Sequence, residues 1–100
     1  MKQKICVSAS KRILFLPHAV KQMSSSKRMI TTAEVRNAVF LGEVIEEYPE
    51  DQRRESCLVF YSEDRRTIHV VCAPKKDYLA IITACVPAPD QWSLDFKVRK

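Results

Sequence analysis

The apolar and polar positions of the chain change period near Gly42. Before it, two short apolar runs, Ile5-Cys6-Val7 and Ile13-Leu14-Phe15-Leu16, read as short strands or extended arms. Pro17 stands where a helix can begin, because its fixed φ suits the first turn. Ala19, Val20 and Met23 then form one apolar helical stripe, which ends at Ser24-Ser25-Ser26. A second helix is announced by Thr31-Thr32-Ala33-Glu34, a capping box in which the Thr31 hydroxyl and the Glu34 carboxylate satisfy free amides. Ile30 and Val35 are placed for a hydrophobic staple, and Val35, Ala38 and Val39 form the buried face. Gly42, the one glycine of the sequence, is expected to be a left-handed cap at the helix end.

After Gly42 the pattern is that of strands. Glu43 to Tyr48 places Val44 and Tyr48 on one face and Ile45 on the other. Pro49-Glu50-Asp51-Gln52 is a turn signal. Ser56 to Tyr61, Thr67 to Cys72 and Tyr78 to Val86 follow as three more strands, and their polar connections favour an antiparallel meander. Pro87 and Pro89 stop the last strand. Asp90 to Phe96 is expected to be a short helix with Trp92 and Phe96 on one side. The expected fold is α+β: two N-terminal helices packed on a four-stranded antiparallel sheet, with a short C-terminal helix.

Length and composition narrow the class. One hundred residues suit one domain over residues 1–100, able to bury roughly 65% of its surface. With 46% hydrophobic and 29% charged residues, the chain is globular in composition. The longest apolar stretch, Tyr78 to Val86, is far short of the ~18 residues a membrane helix requires. The N-terminal apolar run is too short for a secretory leader, so a cytoplasmic location is expected. Cys6, Cys57, Cys72 and Cys85 show no metal spacing, so reduced, structural thiols are expected, with no metal and no cofactor.

Charge is segregated. Residues 1–33 carry seven bases and no acid, residues 34–64 nine acids and three bases, and residues 65–100 seven bases and three acids. Both ends are basic around an acidic middle, within a net charge of +5. If the ends meet, they form a positive surface suited to RNA. The acidic middle is then either a solvated face or a dock for a basic partner.

Metal-free RNA cleavage requires a base for the 2′-hydroxyl, an acid for the leaving oxygen and cations for the transition state. The two histidines, His18 and His69, are the candidates for acid and base. His18 opens the first helix, where the helix dipole favours an anion. His69 alternates with Ile68 and Val70, so it faces away from them; Arg66 at the strand start is the candidate charge stabiliser. Lys27, Arg28, Arg53, Arg54, Arg99 and Lys100 are the candidate phosphate contacts, together with the basic N-terminal region. Other readings stand beside these: His18 as a helix-start residue bonded to backbone, His69 as a hydrogen-bonded core histidine, and the arginines as solvated or weakly paired. Ser56 and Thr83 have no base at a diagnostic spacing, so a hydrolase triad is not supported.

Leu16-Pro17-His18-Ala19, Met23, Ile30 to Val35 and Gly42 to Pro49 together resemble the bacterial domain-of-unknown-function family 4258. Ser56-Cys57-Leu58, Arg66 to Val71, Ile81-Ile82-Thr83 and Pro87 through Trp92, Phe96 and Arg99-Lys100 extend the resemblance over roughly residues 13–100. Cys85 stands where the family usually has tyrosine, and Arg54 where it often has glycine. The family resembles small RelE and BrnT toxins, ribonucleases of toxin–antitoxin pairs. The resemblance implies a RelE/barnase-like fold and a toxin-like RNA-binding domain, with metal-independent endoribonuclease action as the candidate activity. The alternative is a degenerate toxin, a non-catalytic interaction domain that binds an antitoxin-like protein.

Overall fold

Three helices and five strands make up the described residues of the computed structural model, which are 2–25, 29–48, 55–63, 66–87 and 97. In chain order these are α1 (Lys2–Lys11), β1 (Ile13–Phe15), α2 (Pro17–Ser25), α3 (Thr32–Leu41), β2 (Glu43–Tyr48), β3 (Ser56–Glu63), β4 (Arg66–Pro74) and β5 (Leu79–Cys85). The sheet order is β1-β5-β4-β3-β2. The α+β class holds, but the expected architecture does not. The sheet has five strands rather than four, and it is mixed, because β1 pairs in parallel with β5. The meander β2 to β5 is antiparallel as expected.

The second correction is α1. Ile5-Cys6-Val7 is not a strand or an arm but the middle of a helix. Ile5, Ser8 and Ala9 are its buried positions, spaced i, i+3, i+4 as one helical face requires. Ser8 interrupts the apolar stripe, which is why the pattern reads as a short apolar triplet. Packing supplies what the stripe lacks: Ile5 and Ala9 join the core formed by the other helices and the sheet. Two helices precede the meander in the expected fold; three precede it here. The expected helix over Asp90 to Phe96 lies outside the described residues, as does the turn over Pro49 to Gln52.

The two expected helices form where their signals place them. Pro17 opens α2, and the Val20 amide donates to the Leu16 carbonyl at 3.1 Å. Both halves of the capping box at Thr31 are present: the Glu34 amide donates to Thr31 Oγ1 at 3.1 Å, and the Thr31 amide to Glu34 Oε1 at 3.0 Å. Val35, Ala38 and Val39 are fully buried. Gly42 ends α3, but not as a left-handed cap. Its φ is −78°, ordinary extended backbone. Glycine is required there by close approach: a Cβ would stand 2.6 Å from the Phe60 carbonyl oxygen and 2.8 Å from Val59 Cγ1.

The helices cover one face of the sheet. Cys57 and Val59 of β3, Ile68, Val70 and Cys72 of β4, and Leu79, Ile81 and Ala84 of β5 meet Ile5, Ala19, Met23, Val35 and Val39 in one cluster. Two bulges decide which residues share this face. Val44 pairs with Val59 but Glu46 pairs with Leu58, so Ile45 is an extra residue. The phase reverses there, and Val44 and Tyr48 lie on opposite faces rather than the same one. In β5, Thr83 pairs with Val71 and Ile81 with Cys72, leaving Ile82 unpaired. Without that bulge, Ala84 and Ile81 would not both reach the core. Beyond the short β1, the Ala84 amide has no backbone partner on that edge and donates instead to Gln22 Oε1 of α2 at 3.1 Å.

Candidate functional site

The face away from the helices carries Glu43, Glu46, Tyr48, Ser56, Leu58, Phe60, Thr67, His69, Val71, Thr83 and Cys85, by register and alternation. His69 comes out on this side, opposite Ile68 and Val70, as its parity requires. It is only 3% exposed. Phe60 and Cys85 are its direct cross-strand neighbours. The Phe60 ring meets the imidazole edge-on, with centroids 6.3 Å apart at 65°. Lys97 Nζ sits 5.0 Å from the centre of that Phe60 ring and pairs with Glu43 at 3.6 Å. The Tyr48 hydroxyl donates to the Glu46 carboxylate on the same face. Ser56 is completely buried.

His18 is elsewhere. It is exposed at the start of α2, whose Ala19 and Met23 pack on the helix-covered face. The sheet therefore stands between the side that α2 occupies and the side that His69 occupies. Arg66 shares the parity of Ile68 and Val70, so it too belongs to the helix side. Its Nη2 donates to the Met29 carbonyl at 2.8 Å, and its Nε lies 3.4 Å from Glu34 Oε2. Glu34 already accepts from the capped Thr31, so Arg66 ties the start of β4 to the start of α3. The three candidate catalytic residues, for which the sequence left open whether His18 and His69 share a site, are thus spread over two faces of the sheet. Lys27, Arg28, Arg53, Arg54, Arg99 and Lys100 lie outside the described residues.

Cys57 and Cys72 are direct partners across β3 and β4, with sulfurs 3.8 Å apart and both side chains fully buried. Sharing a hydrogen bond lowers Cys57 and, together with burial, pushes Cys72 well above the ordinary thiol range. Both thiols are free, as are Cys6 and Cys85. Among the described residues, no group of three or more His, Cys, Asp or Glu side chains is placed to hold a metal. No helix there is long and apolar enough to cross a membrane.

Among the described residues, two concavities flank the helices. One, of about 260 Å3, is apolar and lined by Phe15, Val20, Met23, Met29 and Ile30. The other, of about 510 Å3, lies between α1 and the β4–β5 turn and is lined by Gln3, Lys4, Val7, Ser8, Pro74, Lys75 and Lys76. Neither was signalled by the sequence. The second depends on α1 being a helix, and on a turn distant in sequence folding back onto it.

The family model described as "Domain of unknown function (DUF4258)" matches residues 15–86. The chain belongs to this family. The match begins at the end of β1, so α1 lies wholly before it and the β4–β5 turn within it. No curated protein and no solved structure matches the chain.

Proposed function

We propose that the chain is a cytoplasmic, toxin-related RNA-binding domain that holds RNA without cutting it at a joint His18–His69 centre. The observation that carries the non-catalytic part is the placement of the three candidates. General acid–base catalysis requires both groups within hydrogen-bond reach of one reacting phosphate. His18 lies on the helix side, His69 is buried on the other, and Arg66 is held by Glu34 and the Met29 carbonyl. RNA binding itself draws support from the net charge of +5 and the basic ends of the sequence.

A second reading, docking of an antitoxin-like protein, is favoured by one observation. Val20 and Met29, 50% and 59% exposed, rim the apolar groove beside α2, and exposed apolar patches of this kind mark interaction sites.

The test is incubation of the tag-free protein with a labelled mixed-sequence RNA in EDTA, beside the His18→Ala/His69→Ala variant. Anisotropy reads binding, gel electrophoresis reads cleavage, and circular dichroism follows the fold of both proteins. The expected result is a shifted, intact RNA with the parent. Cleavage by the parent that a folded double variant has lost would restore the ribonuclease. No binding, with capture of a protein partner that Met29→Asp abolishes, would favour the second reading.

A further inference from the structure

The cleft between α1 and the β4–β5 turn joins bases from two distant parts of the sequence. Lys4 comes from α1, and Lys75 and Lys76 from the turn. Lys11, in the last turn of α1, stands beside them. The turn is fastened to the helix in two places. Ser8 Oγ donates to the Lys75 carbonyl at 2.7 Å, and Lys11 Nζ donates to the Lys76 carbonyl at 2.9 Å. The Lys75 amide in turn donates to the Tyr78 carbonyl at 2.8 Å, which closes the turn. These bonds hold the two lysine-bearing walls at a fixed separation, so the positive charges are brought together before any ligand arrives. Ordering them on binding then costs less than gathering them from mobile chain.

Two acids adjoin these lysines among the described residues. Glu55 pairs with Lys4 at 3.0 Å, but both side chains are well exposed, at 41% and 60%. Such a pair is weak and readily exchanged for another anion. Asp77 follows the two lysines on the exposed turn. Among the described residues, four lysines and these two acids stand at the cleft. Between the basic walls lie Val7, half-exposed, and Pro74. A positively charged groove is what tracks the backbone of a single strand of nucleic acid, and Val7 and Pro74 give this one an apolar floor for a sugar.

We propose that this cleft is where the chain holds single-stranded RNA, with Lys4, Lys75 and Lys76 on successive phosphates. This rests on the RNA-binding reading and adds the surface to it. A strand with one charge per nucleotide supplies anions to both walls at once. One wall of the cleft, α1, lies before the matched family segment, and the β4–β5 turn lies within it. A family member without such a helix lacks one wall of the cleft.

The test uses a fluorescein-labelled 12-nucleotide oligouridylate, the full-length protein and a salt titration read by anisotropy. The Lys4→Gln/Lys75→Gln/Lys76→Gln variant is expected to bind on the order of tenfold more weakly or worse at 0.1 M salt. Its log–log salt slope is expected to fall by about 2, since each single-strand phosphate contact contributes roughly 0.7. Arg36→Gln, an exposed base on α3, is the control for loss of net charge and is expected to stay near the parent. The matching Lys→Arg triple, which keeps the charges, is expected to restore binding and guards against misfolding. If the parent binds but the glutamine triple binds equally well, the cleft is overturned and the RNA reading stands. The cleft is likewise overturned if the loss tracks Lys27→Gln/Arg28→Gln or Arg53→Gln/Arg54→Gln instead. A parent that binds no RNA overturns both. Equal affinity for a polyglutamate peptide of the same charge, lost in the triple, replaces RNA by an acidic protein segment.

Discussion

The two faces of the sheet are built on different terms. The helix side is filled by aliphatic groups and two thiols, with Val59, Val70, Ile81 and Ala84 completely buried. The other side mixes Phe60, Leu58 and Val71 with Glu43, Glu46, Tyr48, Ser56, His69 and Thr83. Yet burial does not separate them: His69 and Ser56 are as enclosed as many core aliphatics. What differs is the chemistry of enclosure. On the helix side, burial removes apolar area from water, worth about 25 cal/mol per Å2. On the other side, polar groups are enclosed, and each must be hydrogen-bonded to avoid a cost of about 1–3 kcal/mol. A polar residue with catalytic potential is therefore not thereby a reactive one. His69 belongs to an enclosed layer, 3% exposed and edge-on to the Phe60 ring.

The largest expected effect tests this contrast directly. Ile81→Ala on the helix side should lower stability by about 3–4 kcal/mol, from lost burial plus the cavity left behind. Thr83→Ala, two positions along the same strand but facing the other way, should cost no more than about 1 kcal/mol. Urea denaturation of the two variants measures the difference, and equal losses would erase the distinction between the faces.

Next in size is the seam where α3 meets the sheet. Gly42→Ala should cost about 2–3 kcal/mol, since the added methyl meets the Phe60 carbonyl and the Val59 side chain, and the carbonyl belongs to a paired strand with little room to give. A left-handed cap would respond differently: Gly42→Asn would then recover most of the loss. At an extended φ it should not, and the two melting curves decide.

The structural role given to Arg66 predicts smaller changes. Glu34→Ala removes both the capping contact and the pair with Arg66, for about 1–1.5 kcal/mol. Glu34→Gln keeps an amide oxygen for the cap and should lose only a few tenths of a kcal/mol. Chemical denaturation in low salt resolves the two. If Glu34→Gln costs as much as Glu34→Ala, the ion pair rather than the cap dominates.

The smallest effect is a slope with pH. Burial holds the Cys72 thiol up even without its partner, so the comparison is cleanest in Cys57→Ala protein. Above about pH 8.5 the unfolded chain's thiol loses its proton, while the folded one keeps it. The unfolded state then binds fewer protons, and stability falls as pH rises through that window. Melting temperatures from pH 8 to 10 in reductant should fall more steeply for Cys57→Ala than for Cys57→Ala/Cys72→Ala.

Local signals carried much of the fold. The capping box at Thr31, the proline at the start of α2 and the alternation in β3 and β4 all act through neighbours in sequence, and the structure follows them. The candidate site was less legible, because it needed parity across bulges and contacts between distant segments. His69 was placed on its correct face by alternation alone, since β4 carries no extra residue between Ile68 and Val71. Tyr48 was not, because one inserted residue, Ile45, reverses the phase of β2. Nothing local marks that insertion.

The sequence by itself determined the α+β class, the two capped and proline-started helices, the four-strand meander and the parity that turns His69 away from the helices. These follow from short-range sterics, hydrogen bonding and the period of apolar residues. Tertiary structure decided that Ile5-Cys6-Val7 is helical, because the Ile5–Ser8–Ala9 stripe gains its stability only against the rest of the core. It also decided the parallel pairing of β1 with β5, some 65 residues apart in sequence, and the reason for Gly42. Above all it decided that His18, His69 and Arg66 do not converge, and that Lys4 lines one cleft with Lys75 and Lys76. Which charges stand together is a property of closed distances, and no local pattern along the chain encodes them.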